Sequence, residues 1–302
     1  MRPPRIELAR GWILDRYLGW RDLTLTPTLR LLEQRRGPLR QLLLLTDGAH
    51  PDDVDGAVAR HHAVSPRAWL TWNDFSPSAG ARHPALAAKL TPVRGTHWFG
   101  AGTFLVDLSL PEDALFSAIQ RARAKEARRA EKKGVRVAIL ERPAREHVDG
   151  FLALHRAMAT ERGLVQLDEA VLRRMLDEGA AVLVRAVDAS GRALVVNVVY
   201  LLGVHGYYLH GTRAGDVMDG VGHLAQWETI RWLKGRGALV YDLGLVASED
   251  EGDGIFRFKR SLGGAFVPSG REASREPLLV RIARRLRRGA EVDPLPRGTK
   301  RR

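Results

Sequence analysis

Between residues 181 and 211 the chain passes through three strand-sized apolar stretches with very little between them. Ala181 to Val187, Ala193 to Leu202 and Gly206 to Gly211 are joined only by Asp188-Ala189-Ser190-Gly191 and by Gly203 to His205. Tight-turn residues in connections this short make neighbouring strands antiparallel, so a three-stranded meander is the reading. Gly222 to Lys234 follows as a helix ended by Gly235-Arg236-Gly237, and Leu239 to Leu243 as a further strand.

The residues around this block extend the pattern. Thr103 to Leu108 reads as a strand, and Pro111-Glu112-Asp113 opens one long helix that Gly134 terminates. Val135 to Leu140 is a strand, and Ala144 to Arg162 and Asp168 to Glu178 are helices. Downstream, a short helix around Ile255 to Leu262 and a strand Ala265 to Pro268 close the fold. Arg275 to Arg288 reads as a basic amphipathic helix and 289–302 as a disordered basic tail. The first hundred residues are less regular, with five of the seven Trp and many Pro and Gly breaks. There Pro27 to Arg36 reads as a helix closed by Gly37, and Gln41 to Thr46 as a buried strand. Asp52 to His62 is a helix with Asp52 and Asp53 in its first turn, and Ala68 to Trp72 a strand.

Composition removes whole classes of chemistry. The 302 residues contain no Cys, which excludes disulfides, a thiolate nucleophile, Cys-based zinc sites and iron–sulfur clusters. No apolar run approaches the ~18 residues of a membrane-spanning helix, and Met1-Arg2-Pro3-Pro4-Arg5 leads into mixed polar sequence rather than an apolar signal segment. A cytoplasmic protein is expected. Nucleophile elbows, phosphate-binding Gly-Lys-Ser/Thr loops, His-Glu-x-x-His and Gly-x-Gly-x-x-Gly are all absent from the sequence, so no metal and no resident cofactor is implied. The net charge of +13 is concentrated. Residues 121–136 carry net +6 and residues 271–302 net +7, leaving the rest neutral overall. Charge gathered in this way favours a polyanionic partner. Arg121, Lys125, Arg128, Lys132 and Arg136 recur every three or four residues as one cationic stripe, with Leu115, Ile119 and Ala122 as the buried face. Arg281, Arg284, Arg285 and Arg288 form a second stripe suited to RNA or to peripheral contact with an anionic membrane surface.

The order helix, helix, three-strand meander, helix, strand, helix, strand resembles the GNAT acyltransferase fold. Three linked pieces carry a narrower resemblance. They are Tyr207-Tyr208-Leu209-His210-Gly211-Thr212, then Trp227-Glu228-Thr229-Ile230 with Lys234 and Gly237, then Tyr241-Asp242-Leu243-Gly244, leading into Gly254-Ile255-Phe256-Arg257-Phe258-Lys259-Arg260-Ser261-Leu262-Gly263-Gly264. With Ala130-Glu131-Lys132-Lys133-Gly134-Val135 upstream, they are similar to the Fem family, GNAT-fold enzymes that move an amino acid from aminoacyl-tRNA onto an amine. The resemblance covers roughly residues 103–290. It departs from the family at Leu262, where a second Phe is usual, and lacks the family's long coiled-coil insertion.

The resemblance implies an α/β protein, a tandem GNAT-like fold with mixed twisted sheets whose first half is degenerate. Its parts are an N-terminal half-domain over 1–102, a catalytic domain with the basic helix over 103–288, and the tail. It implies that the strands holding Gly206 to Gly211 and Leu239 to Leu243 splay to admit the donor. Lys259 would hold the oxyanion or the donor's 3′-end phosphate, and Phe258 would stack on the terminal adenine, with Arg257 and Arg260 beside them. Asp242 and His210 are candidate bases, since the attacking amine must lose a proton, and Asp242 could equally cap the Gly244 turn. Tyr208 and Tyr241 are assigned to the acceptor, and Arg128 and Lys132 to its phosphates.

Arg213, Gly220 and Gly222 precede a helix N-terminus where coenzyme A-dependent relatives cradle pyrophosphate; Val217 stands where those carry Gln or Arg. The expected activity is amide formation from aminoacyl-tRNA as co-substrate, onto a peptidoglycan precursor or a small-molecule or antibiotic-scaffold amine. The alternative is an acyl-CoA-dependent N-acyltransferase, and a third reading is a non-enzymatic RNA-binding protein.

Overall fold

The computed structural model describes residues 19–23, 29–36, 39–46, 50–63, 68–74, 90–92, 100–162, 167–269 and 271–275. The described residues form two units, one from those up to Gly100 together with those from Pro268 to Arg275, the other from Ala101 to Val267.

The first unit is a six-stranded sheet. Its strands are Arg21–Asp22 (β1), Leu29–Arg36 (β2), Leu39–Thr46 (β3), Trp69–Asp74 (β4), Thr91–Pro92 (β5) and, from the far end of the chain, Arg271–Arg275 (β13), in the order β1-β2-β3-β4-β13-β5. A helix, Pro51–Ala63 (α1), links β3 to β4, which run parallel through six pairs from Gln41↔Trp69 to Thr46↔Asp74. Leu29, Leu31, Leu42, Leu44, Val54 and Trp72 form its core, and Trp72 Nε1 donates to Thr46 Oγ1 at 3.0 Å.

Two sequence expectations are corrected here. Leu29–Arg36 is a strand and not part of a helix: it pairs residue for residue with β3, buries Leu29 and Leu31, and carries the cross-strand ion pair of Arg40 Nε with Glu33 Oε1 at 2.6 Å. Pairing with a strand that buries four consecutive leucines outweighs a local preference for helix. The chain also returns to this sheet, since β13 lies between β4 and β5. The segment assigned to the second domain therefore leaves it near Val267; Arg275, where the basic helix is expected to begin, ends β13 instead, and the rest of that helix and the tail fall outside the described residues.

The second unit follows the expected order closely. It runs Gly102–Asp107 (β6), Glu112–Ala118 (α2), Arg121–Lys132 (α3), Arg136–Glu141 (β7), Arg145–Arg162 (α4), Glu169–Asp177 (α5), Ala181–Val187 (β8), Ala193–Leu202 (β9), His205–Arg213 (β10), Val221–Gly235 (α6), Val240–Val246 (β11), Gly254–Arg260 (α7) and Ala265–Pro268 (β12). The sheet order is β12-β6-β11-β10-β9-β8-β7. Phe104, Leu224, Leu233, Tyr241 and Leu243 lie in its core.

The long helix expected over 111–134 is two helices. Ile119 and Gln120 are extended (ψ 133° and 125°), and the Gln120 amide donates to Ser261 O at 2.9 Å instead of continuing the helix. The break buries Ile119 and turns α3 so that Ala127 and Ala130, not Ala122, face inward. Arg136 accordingly leaves the stripe and begins β7.

The feature that matters for function is the parallel pair β10 and β11. They pair only at His205↔Val240, Gly206↔Tyr241 and Tyr207↔Asp242. Beyond these, β10 continues to Arg213 against β9 with a bulge between Tyr208 and His210, and β11 continues to Val246 against β6 with a bulge between Asp242 and Leu245. Bulges bend and twist their strands, and two on adjacent strands open the sheet. The parallel pair of the first unit, β3 and β4, stays closed for six pairs. Among the described residues no helix is long and apolar enough to cross a membrane.

Candidate active site where two parallel strands part

The fastening of the opening begins with Asp242, whose side chain is fully buried. Its Oδ1 accepts from the Gly244 amide at 2.6 Å and from the Thr103 hydroxyl of β6. The Thr103 oxygen also lies 2.8 Å from the Gly244 carbonyl. A carboxylate gripping both strands at the bulge explains why β11 bends where it does. It also favours the capping role of Asp242, one of the two read from sequence.

Gly244 is left-handed (φ +77°), and a methyl there would lie 2.7 Å from Tyr208 O and 3.4 Å from Lys259 Nζ. Lys259 therefore reaches back from α7 across the bulge. Its Nζ donates to Leu245 O at 2.7 Å, stands 5.7 Å from the centre of the Tyr208 ring, and the residue is only 7% exposed. Held by a carbonyl and an aromatic face, a buried ammonium presents positive charge beside strand edges that no longer pair with each other.

The two tyrosines take different places. Tyr241 is fully buried and its hydroxyl donates to Gln226 Oε1 of α6 at 2.7 Å, so it braces the sheet and offers no surface to an acceptor; its assignment there is corrected. Tyr208 is half-buried, with its hydroxyl 3.4 Å from Asn197 Oδ1. Burial raises the pKa of both phenols, so both remain protonated near neutrality.

His210 lies just past the β10 bulge with its ring 5.8 Å from that of His155 on α4. Burial, then the neighbouring His155, hold His210 at a pKa of about 4, and burial lowers His155 as well. Both are neutral at pH 7. His155 is a residue that sequence reasoning misses, because only the packing of α4 on β10 brings positions 155 and 210 together.

Phe258, on α7, is half-buried and lies beside the start of α6. Its ring meets His223 edge-on at 4.9 Å, and a methyl on Gly222 would touch it at 3.4 Å. Gly220 is the left-handed residue before α6. Arg257 and Arg260 are exposed, Arg260 ion-paired with Glu251. Arg213 is exposed and donates to Val217 O at 3.3 Å. Arg128 and Lys132 are exposed on α3, with the Arg128 guanidinium 4.5 Å from the Phe116 ring centre. The structure thus gathers Lys259, Asp242, Gly244 and Tyr208 at the opening, sets Phe258 beside Gly222, and leaves Arg128 and Lys132 on a separate helix.

Burial of the imidazoles predicts that stability falls in acid. His223, 8% exposed, is also held at about 4, by burial and then by Arg123. A His whose folded pKa lies below its ordinary 6.5 contributes stability that is present above pH 6.5 and lost as pH falls towards 4. The loss is on the order of 3 kcal/mol for each group. Denaturant midpoints at pH 7 and pH 4.5 should differ accordingly, and equal midpoints would contradict this burial.

Residues 118–260 match the family model described as an acetyltransferase (GNAT) domain. No curated protein matches the sequence. Among solved structures, FemX superposes with a TM-score of 0.68 at 15% identity, over 91% of this chain and 93% of that one. The C-terminal domain (DUF2156) of a candidate lysylphosphatidylglycerol synthetase from Agrobacterium fabrum gives 0.59 at 12%, over 91% and 90%. A tandem GNAT protein from the clavulanic acid biosynthesis pathway gives 0.50 at 16%, over 82% and 77%. At these identities the likeness is one of fold: a GNAT-type, Fem-like architecture.

Proposed function

We propose that this chain is an aminoacyl-tRNA-dependent aminoacyltransferase that forms an amide on an amine acceptor. The observation that carries the reading is the buried Lys259 ammonium beside Gly244, where β10 and β11 part. The amine nitrogen attacks the ester carbonyl carbon, and negative charge gathers on the carbonyl oxygen. The bond to the ribose oxygen then breaks as the amide forms. The amine's proton passes to that departing oxygen or to neutral His210. Because the ester is already activated, the protein supplies position and a cation for the oxyanion.

Phe258 stacks on the terminal adenine, Arg257, Arg260, Arg213 and the Gly220–Gly222 segment line the donor's phosphates, and Tyr208 orients the acceptor. Arg128 and Lys132 bind phosphates of the acceptor or donor. A peptidoglycan precursor and a specialised-metabolite amine are the acceptor classes to test, with aminoacyl-tRNA as the donor.

An acyl-CoA donor is the second reading, favoured by the acetyltransferase model and by the left-handed Gly220 at the start of α6. The glycines do not by themselves favour coenzyme A over another donor, since both also have packing reasons: Gly220 abuts the α3 backbone and Gly222 the Phe258 ring. Titrating bulk aminoacyl-tRNA and coenzyme A against salt separates the two. Salt-sensitive binding of charged tRNA and none of coenzyme A supports the first reading, and the converse overturns it. If α3 meets RNA, replacing Arg128 and Lys132 by Gln should make the log–log salt slope shallower by about 2. An unchanged slope makes the stripe a solvated face.

A further inference from the structure

α7 is two turns long and has too few internal hydrogen bonds to hold its own orientation. Its beginning is fixed twice: Asp253 Oδ1 accepts from the Ile255 and Phe256 amides at 2.6 and 3.2 Å, and the Phe256 ring packs on Phe104 at 5.2 Å. Its end, which carries Phe258 and Lys259, is fixed through Ser261. The Ser261 hydroxyl donates its single proton to the Phe258 carbonyl at 2.6 Å, so its oxygen can only accept from His223 Nε2, 2.8 Å away. That assigns the Nε2–H tautomer to a buried, neutral imidazole. The same ring contacts Phe258 edge-on, and the Ser261 carbonyl accepts the Gln120 amide at the start of α3. Arg123 and Glu126 of α3 are the charged groups that face His223.

We infer that His223 is a positioning residue: through Ser261 it locks the end of α7 to the first turn of α6 and so aims Phe258 and the Lys259 ammonium at the opening between β10 and β11. The positional part stands on these contacts alone. Its consequence for turnover rests on Lys259 acting as proposed above.

The test reads the position of Lys259 first and turnover second. In the whole protein, the ¹⁵N-resolved ammonium protons of Lys259 are observable because the group is buried and bonded to Leu245 O, and are assigned by their loss in Lys259→Arg. His223→Ala should shift this signal and speed its exchange with water about tenfold or more. His223→Gln, whose side-chain N–H reaches a similar point, should retain it. Ser261→Ala removes the same link while leaving the imidazole packed, and should reproduce the alanine effect; it serves if His223→Ala does not fold.

In transfer assays, His223→Ala should lower kcat about tenfold or more with the donor KM nearly unchanged, and the loss should vanish in a Lys259→Ala background. An unchanged Lys259 signal in folded His223→Ala and Ser261→Ala overturns the inference. A shifted signal with unchanged kcat upholds the positioning and removes Lys259 from the chemistry.

Discussion

Lys259→Ala is expected to lower kcat for aminoacyl transfer a hundredfold or more while leaving the donor KM within a few-fold. The asymmetry follows from what the ammonium touches. In the free protein it bonds Leu245 O and faces the Tyr208 ring, so it is held in place before any substrate arrives. A preformed cation interacts most with charge that appears only in the transition state, and removing one such partner typically costs ~3 kcal/mol or more in activation free energy. Lys259→Arg should not restore turnover. The planar guanidinium cannot stand in the space above Gly244, where the ammonium lies 3.4 Å from the position of a Cβ. A rise in KM with kcat intact would instead make Lys259 a binder of the donor's terminal phosphate.

The second large effect is on stability. Gly220 combines a left-handed backbone (φ +88°) with a tight approach to the backbone of α3. A methyl there would lie 2.3 Å from the carbonyl carbon of Glu126, 2.4 Å from its oxygen and 2.7 Å from the Ala127 nitrogen. These are backbone atoms of α3 and cannot swing aside. Strain of ~1–2 kcal/mol for the backbone and ~1–3 kcal/mol for overpacking predict that Gly220→Ala destabilises the protein by about 4 kcal/mol. Its melting temperature should fall by about 10 °C. A shift of a degree or less would show that α3 and α6 do not pack as described. The effect also accounts for a Gly-x-Gly before α6 without any pyrophosphate.

What the sequence discloses and what it withholds divide along a physical line. The meander, the helix after it and β11 are visible because short polar turns and glycine stops punctuate apolar runs of definite length, from Ala181 to Leu243. The parting of β10 and β11 is legible only by resemblance, since the bulges at Tyr208 to His210 and Asp242 to Leu245 have no local signature apart from Gly244. β2 is misread because Thr26-Pro27 and Gly37 imitate helix ends, whereas its fate is set by pairing with Leu39–Thr46.

The break at Ile119–Gln120 depends on a carbonyl 141 residues away, and β13 joins a sheet begun at Arg21. The site residues that were missed share this character. His155 meets His210, Thr103 meets Asp242 and His223 meets Ser261 only after the chain has folded, so spacing in the sequence cannot reveal them. Tyr241 shows the reverse error: a polar residue in a motif-bearing strand that is wholly committed to the core through Gln226.

If the opening beside Lys259 accepts an aminoacyl ester and forms an amide from it, the transferred amino acid can be followed by its label. Incubating the protein with bulk tRNA charged with radiolabelled amino acids and a panel of amines, and counting label that survives mild alkali, tests this directly, because alkali cleaves the ester and spares the amide. Alkali-stable label is expected on one class of amine, dependent on Lys259 and absent when labelled acetyl-CoA replaces the charged tRNA. Stable label arising from acetyl-CoA and none from charged tRNA would contradict this expectation.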